Sequence, residues 1–134
     1  MDKILALDPG DQHIGTAISD ELQMLAEPYK TVKPGELKEF LTQLLQIEPI
    51  STIVVGYPKT MRGTISAQTQ KSIDLKDELA LLFPNIEFVL WDERLTSKSA
   101  SHIKQAKNKN DRLHQHSIAA AIILQTFLDR TLFN

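Results

Sequence analysis

The chain contains 134 residues, 42% of them hydrophobic and 24% charged, values that are ordinary for a soluble globular protein. This length suits one compact domain, so we predict a single domain over residues 1–134. No run of about eighteen apolar residues occurs, which predicts the absence of a membrane-spanning helix. Cysteine is absent, which excludes disulfides and thiol nucleophiles. The opening MDKILALD has no cleavable signal architecture, and we expect a cytoplasmic protein.

The formal net charge of −2 is not typical of nucleic-acid-binding proteins, many of which are basic. The charge is unevenly distributed, however, because the segment from Arg94 to Arg112 contains six basic residues and a single acid, Asp111. Such a run is typical of a solvated surface, but a phosphate-facing patch has the same composition. The sequence leaves both interpretations open.

Three strands are predicted in the first third of the chain. Lys3 to Asp8 and Ile14 to Ser19 are apolar runs separated by the turn residues Pro9-Gly10-Asp11, a spacing compatible with a hairpin. Tyr29 to Lys33 is a weaker third strand, ended by Pro34-Gly35.

Helices and strands alternate in the rest of the chain. Glu36 to Ile47 has apolar residues at helical spacing, and Thr52 to Gly56 (TIVVG) is rich in β-branched residues, as expected for a central strand. The remaining predicted elements are a helix from Ser66 to Phe83, a strand from Ile86 to Trp91, and helices from Thr96 to Ala106 and from Leu113 to Leu132. The order βββαβαβαα predicts a mixed sheet flanked by helices, in which ligands bind at the carboxyl ends of parallel strands.

Three acidic residues directly follow apolar strands. Asp8 begins a glycine turn, so it either caps that turn or belongs to a site. Asp92 and Glu93 follow the IEFVLW strand and either pair with nearby basic residues or face a cleft. Because neighbouring strand residues point to opposite faces, at most one of these two acids should share a cleft with Asp8. Two converging carboxylates would form a hard oxygen site suited to Mg²⁺ or Mn²⁺.

The loop from Gly56 to Gly63 (GYPKTMRG) follows the TIVVG strand and is a candidate substrate contact. Glycine permits a close backbone approach, and Lys59 and Arg62 can contact phosphates. A plain connecting loop has the same appearance, so both interpretations remain. The histidines show no zinc-site spacing; His114 and His116 lie two residues apart near the start of a predicted helix and cannot share a face.

Four segments match the motifs of one known family in order and spacing. They are LDPGDQHIGTAISD (Leu7 to Asp20), IVVGYPKTMRG (Ile53 to Gly63), WDERLTS (Trp91 to Ser97) and IAAAIILQTFLD (Ile118 to Asp129). On these segments, which extend over essentially the whole chain, the protein resembles the YqgF family of RuvC-like, Holliday-junction-resolvase-like proteins. The resemblance implies a ribonuclease-H-like α/β fold with a mixed five-stranded sheet and helices on both faces.

The resemblance also implies which residues carry catalysis. Asp8 corresponds to the first catalytic carboxylate and Glu93, with Asp92 beside it, to the second. At the position of the family's third acid this chain has His116, whose neutral imidazole can ligate manganese or, less favourably, magnesium. We therefore predict Asp8, Glu93 and His116 as ligands of Mg²⁺ or Mn²⁺, with an inactive site as the alternative. Gln12-His13 also departs from the basic pair that the family usually carries before Ile-Gly.

By the same resemblance, the chain is expected to be a metal-dependent endonuclease that acts on structured RNA and processes the pre-16S ribosomal RNA end. Cleavage of branched DNA, as by a Holliday junction resolvase, is a second hypothesis, and a catalytically impaired nucleic-acid-binding module is a third. A monomer or weak homodimer without a membrane partner is expected. The predicted substrate-contacting residues are Gly10, Gly56, Pro58, Lys59, Arg62, Arg94, Lys104, Lys107 and Lys109.

Overall fold

A computed structural model describes residues 2–58, 66–93 and 109–133, and for residues 109–113 and 132–133 it describes the backbone only. The strands are β1 (Lys3–Asp8), β2 (Ile14–Ser19), β3 (Ala26–Val32), β4 (Ile50–Tyr57) and β5 (Glu87–Asp92). The α-helices within these ranges are α1 (Leu37–Ile47), α2 (Ala67–Leu82) and α3 (Lys109–Phe133), and a short 3-10 turn, Pro34–Glu36, precedes α1. The helix predicted from Thr96 to Ala106 lies outside the described residues.

The five strands form one sheet in the order β3-β2-β1-β4-β5. Strands β1, β2 and β3 form an antiparallel meander, whereas β4 is parallel to both β1 and β5. The predicted mixed five-stranded sheet is therefore confirmed. Because β1, β4 and β5 run in the same direction, their carboxyl ends lie at one edge of the sheet, where α/β proteins usually bind ligands.

Alternation along the strands sends side chains into two separate cores. In β1, Leu5 and Leu7 belong to one core, and Ile4 and Ala6 belong to the other. The first core is closed by the buried helix residues Leu37, Leu41, Leu44 and Leu79 from α1 and α2, and the second by Ala120, Ala121, Ile123, Leu124 and Leu128 from α3. Helices thus cover both faces, as predicted. Within the described ranges, no helix has the length and apolar character needed to cross a membrane.

Two elements begin three or more residues earlier than predicted. Strand β3 begins at Ala26 rather than Tyr29, because an edge strand tolerates Pro28, which lies opposite Ala17. Helix α3 begins at Lys109. The polar stretch KNKND (residues 107–111) lies between the two last predicted helices and is predicted to connect them, but part of it belongs to α3. Asp111 accordingly lies in the first turn of α3 and not before it, a position that the helix dipole favours for an acid.

Helix α3 lies very close to the sheet at Gly15 in β2. A Cβ atom on Gly15 would lie 1.8 Å from the carbonyl oxygen of His116 and 2.9 Å from the amide nitrogen of Ser117. Non-bonded atoms do not approach so closely, so α3 can lie here only because residue 15 has no side chain. Since Gly15 lies opposite Asp8 in the β1–β2 ladder, this contact places the His116 segment beside the end of β1.

We expect Gly15→Ala to lower the free energy of unfolding by about 1–3 kcal/mol, because the added methyl group meets helix backbone that cannot yield without losing packing elsewhere. Gly35→Ala is the matched control, since a Cβ atom at Gly35 would meet nothing within 4 Å. Its effect should stay within about 0.5 kcal/mol. Urea unfolding of both variants measures the difference, and equal losses would contradict the close approach of α3.

Candidate active site

The three acidic residues singled out from the sequence lie at the same edge of the sheet. Asp8 is the last residue of β1, Asp92 is the last residue of β5, and Glu93 follows it. Strand β4 lies between β1 and β5 and is parallel to both, so the two outer strands are about 10 Å apart. Any contact between Asp8 and an acid of β5 must therefore pass over β4.

Alternation along β5 separates Asp92 from Glu93. Val89 and Trp91 pack in the α3 core, as Ala6 does on β1, whereas Leu90 packs in the opposite core. Continuing this pattern, Glu93 and Asp8 belong to the α3 side of the sheet and Asp92 to the other side. As the pattern requires, the carboxyl that contacts Asp8 is that of Glu93.

Gly56 in β4 makes room for this contact. A Cβ atom on Gly56 would lie 3.3 Å from Cγ of Glu93 and 2.7 Å from Cδ1 of Ile123 in α3. The glycine thus leaves open the space over β4 through which the glutamate side chain reaches Asp8. The sequence singled out Gly56 as a substrate contact; within the described residues its evident role is to let Glu93 and α3 lie close to the sheet.

The two carboxyl groups share a hydrogen bond, in which the Glu93 carboxyl donates to the Asp8 carboxylate. Burial raises the pKa of Asp8 to about 6, although the hydrogen bond from Glu93 opposes this rise. The pKa of Glu93 is raised to about 8. Burial is the largest cause, and repulsion from Asp8, the hydrogen bond donated to Asp8 and the charge of Asp92 raise it further. At neutral pH the pair therefore holds one proton between two acids, as expected for two carboxyls that share a partly dehydrated site.

This pair fits a hard divalent cation. Mg²⁺ in proteins is typically held by one or two carboxylates together with water and substrate phosphate, and Asp8 and Glu93 supply that number. A cation between them would take the place of the shared proton and remove the repulsion between the two charges. Among the described residues, no group of three or more His, Cys, Asp or Glu side chains is placed to hold a metal ion.

His116, the third predicted ligand, has its backbone beside the end of β1 and its ring against His13. Its ring stacks on that of His13, with 5.0 Å between the ring centroids and 26° between the ring planes. Burial and, second, the neighbouring His13 lower the pKa of His116, which favours a neutral imidazole. The structure thus brings Asp8 and Glu93 together and does not bring His116 into one ligand group with them.

Two of the predicted substrate contacts have packing roles. A Cβ atom on Gly10 would lie 2.5 Å from the carbonyl oxygen of His13, so the β1–β2 turn needs glycine there. The carbonyl oxygen of Pro58 accepts a hydrogen bond from the Thr69 hydroxyl at the start of α2. The predicted contacts Lys59, Arg62, Arg94, Lys104 and Lys107 lie outside the described residues, and Lys109 is described only as the first backbone position of α3.

Two contacts near the site were not predicted from the sequence. One is the stack of His13 on His116, which joins residues about a hundred positions apart and has no signal in the local sequence. The other is an ion pair of 3.0 Å between Lys71 in α2 and Asp11 in the β1–β2 turn. A lysine on a helix and an aspartate in a turn are too common for sequence alone to pair them.

Comparison with solved structures identifies the fold. The chain is similar to Thermus thermophilus RuvC in complex with a Holliday junction substrate, with a TM-score of 0.59, 15% sequence identity, and coverage of 99% of this chain and 97% of that one. A second structure of the same organism's RuvC gives a TM-score of 0.55 at 14% identity and covers 97% of this chain and 96% of that one. The ribonuclease-H-like fold that the resemblance implied is thereby confirmed.

The protein thus has the fold of RuvC, with a carboxyl pair at the ends of its parallel strands. Residues 2–130 match RuvX, described as Holliday junction resolvase, and the chain belongs to this family, which is also called YqgF. A relative from Rubrobacter xylanophilus, named "putative pre-16S rRNA nuclease", is 35% identical and covers 95% of this chain and 92% of its own. A relative of the same name from Clostridium tetani is 38% identical, and the match covers 95% of this chain and 96% of that relative.

We expect the stability of the metal-free protein to fall as pH rises from about 4 to about 8. Both acids have a raised pKa in the folded state, so folding takes up protons in this window, and stability is lost as pH rises toward the folded pKa values. Of the two acids, Glu93 has the larger rise in pKa and so contributes more to the pH dependence of stability. Glu93→Gln should therefore lose less stability than the wild type between about pH 4 and about pH 8. Urea unfolding in chelator at several pH values measures this. Glu87→Gln, at an exposed position of the same strand, should follow the wild type; parallel profiles for Glu93→Gln and wild type would contradict the account.

Proposed function

We propose that the protein is a metal-dependent endonuclease that cleaves structured RNA and processes the end of pre-16S ribosomal RNA in the cytoplasm. The observation that carries the proposal is the hydrogen-bonded pair of Asp8 and Glu93 at the carboxyl ends of β1 and β5. Membership of a nuclease family supports cleavage of nucleic acid. The name shared by the relatives from Rubrobacter xylanophilus and Clostridium tetani supports pre-16S ribosomal RNA as the substrate.

In this proposal Asp8 and Glu93 hold Mg²⁺ or Mn²⁺. Such a cation lowers the pKa of a bound water and stabilises the negative charge on the leaving oxygen of a phosphodiester. The protein's contribution is to deliver two deprotonated carboxylates at a fixed separation. Their positions are set by the ends of β1 and β5, which flank β4, and the space above Gly56 lets the longer Glu93 side chain span β4. Loss of the shared proton frees both carboxylates to act as ligands.

The assignment of His116 as a third ligand stays a prediction. Its backbone is held beside the end of β1 by the contact with Gly15, which favours proximity to Asp8. Its ring stacks on His13 through one face, which leaves the ring nitrogens free of the stack. Among the described residues the imidazole is not grouped with the two carboxyls, so ligation requires it to move toward them. Asp92 belongs to the opposite side of the sheet and is proposed to act only through its charge on Glu93.

We propose that the substrate contacts the turn at Gly10, the end of β4 from Gly56 to Pro58, and a set of basic residues. Lysine and arginine side chains near the carboxyl pair would supply affinity for phosphates independent of base sequence. The basic residues proposed for this role are Lys59, Arg62, Arg94, Lys104, Lys107 and Lys109. A monomer or weak homodimer would carry one such site per chain.

Cleavage of branched DNA is the second candidate function. Its support is the similarity to RuvC, which was solved with a Holliday junction substrate, and the description of the matching family as Holliday junction resolvase. At 15% identity that similarity reflects the fold, and a shared fold does not determine the substrate. The identity to relatives named for the ribosomal RNA substrate is higher, which favours RNA over branched DNA as the substrate.

We expect purified protein to cleave labelled RNA hairpins with single-stranded tails in Mn²⁺ or Mg²⁺, and to be inactive in chelator. Asp8→Asn should lower the rate by about 100-fold or more, because it removes one of two carboxylates that hold the cation. Asp77→Asn, an exposed aspartate on α2, is the matched control and should retain the wild-type rate. Four-way DNA junctions are tested in parallel.

The outcomes separate the three functions. Faster cleavage of junctions than of RNA would favour the resolvase over the RNA nuclease. Metal-independent binding of RNA or junctions, without cleavage by wild type under any metal condition, would overturn the nuclease proposal in favour of a binding module. Full activity of Asp8→Asn would contradict the assignment of the carboxyl pair as the cation site.

A further inference from the structure

Beside the carboxyl pair lies a second feature, the stack of two imidazole rings formed by His13 and His116. The rings are nearly parallel, with 26° between their planes and 5.0 Å between their centroids. Both residues are partly exposed. An exposed pair of flat aromatic rings is what proteins present to unpaired nucleobases.

Both rings project from main chain that is closely packed. The carbonyl oxygen of His116 lies over Gly15, where a Cβ atom would come within 1.8 Å of it. The carbonyl oxygen of His13 lies over Gly10 in the same way, 2.5 Å from a hypothetical Cβ. The two backbones therefore have little freedom to move apart. The stack is thus built in advance of any ligand, which lowers the ordering cost of binding one.

The stack is also close to the proposed reacting centre. Gly15 lies directly opposite Asp8 in the β1–β2 ladder, and both the His116 carbonyl and Asp8 lie on the α3 side of the sheet. His13 directly precedes β2 and lies two residues before Gly15, so the two Cα atoms are at most about 7 Å apart. A nucleotide whose phosphate lies at Asp8 and Glu93 can therefore reach the stack with a neighbouring base.

We propose that His13 and His116 form a stacking platform for one unpaired nucleobase next to the scissile phosphate. The inference rests on the proposed nuclease function and adds the class of substrate to it: a strand that is single-stranded at the cut, such as a tail or bulge flanking a hairpin. A base inside a continuous duplex is already stacked on its neighbours and cannot reach a protein ring. In this role His116 acts through the face of its ring, and a nitrogen ligand is not required.

The platform is tested by its dependence on ring shape at both positions. His13→Ala should raise KM for a tailed RNA hairpin about tenfold, within the range expected for loss of one base–aromatic stack, while kcat changes less. His13→Phe should restore KM, because phenylalanine keeps the flat ring. His116→Phe should likewise keep KM near the wild-type value, because the flat ring remains, whereas His116→Asp should raise KM in the same way as His13→Ala.

The base is tested from the substrate side. An RNA with an abasic nucleotide beside the cleavage site should raise the wild-type KM by the same factor as His13→Ala, and the two changes combined should cost no more than either one. If the abasic RNA and His13→Ala together raise KM by the product of their separate factors, the ring and the base act independently, and the platform is overturned. Activity in His116→Asp with loss in His116→Phe would overturn it as well, since that pattern identifies a metal ligand.

A binding measurement keeps this inference distinct from the nuclease proposal. Single-stranded RNA carrying 2-aminopurine is titrated with wild-type protein in chelator, where no cleavage occurs. Quenching of the fluorescent base that is lost in His13→Ala and regained in His13→Phe supports the platform even if no RNA is ever cut. Quenching that is unaffected by His13→Ala, or absent altogether, overturns the platform even if the nuclease activity is confirmed.

Discussion

Two acidic side chains placed within hydrogen-bonding distance at a half-buried sheet edge impose a cost on the folded protein, and much of the surrounding structure serves to hold them there. Asp8 and Glu93 come from strands that are not neighbours, and they meet only because Gly56 leaves the space above β4 open. Burial raises the pKa of both groups, so at neutral pH they retain a proton that exposed carboxyls would have lost. A site that is unfavourable for two negative charges and favourable for a cation is typical of function rather than of stability.

The glycines of the chain explain how helix α3 comes to lie beside this pair. Gly15 admits the backbone of His116 at a separation that no side chain would permit, and Gly56 admits Ile123. With α3 fixed at two points along its length, its first half lies over the end of β1 and the rest closes the core beneath it. The same contacts direct His116 into a stack with His13, so that the carboxyl pair and the aromatic pair are adjacent parts of one edge.

Most of the fold could be predicted from the sequence, because four of the five strands are short apolar runs and α1 has a clear apolar stripe. The strand that was placed least well is β3, whose Pro28 is acceptable only at an edge, and edge position is a property of the whole sheet. For the site, alternation predicted that Asp92 and Glu93 would face opposite sides. The stack of His13 on His116 could not be predicted, since it depends on how closely α3 approaches Gly15, and no local pattern encodes a contact over such a separation.

The central claim, that Asp8 and Glu93 hold a divalent cation, is tested most directly by a crystal structure grown with Mn²⁺ and measured at a wavelength where manganese scatters anomalously. The account predicts an anomalous peak between the two carboxyl groups, with oxygen contacts of about 2.0–2.3 Å. It also predicts that the hydrogen bond between Asp8 and Glu93 is broken, since the cation replaces the shared proton. A manganese peak elsewhere on the protein, with the two carboxyls still bonded to each other, would contradict it.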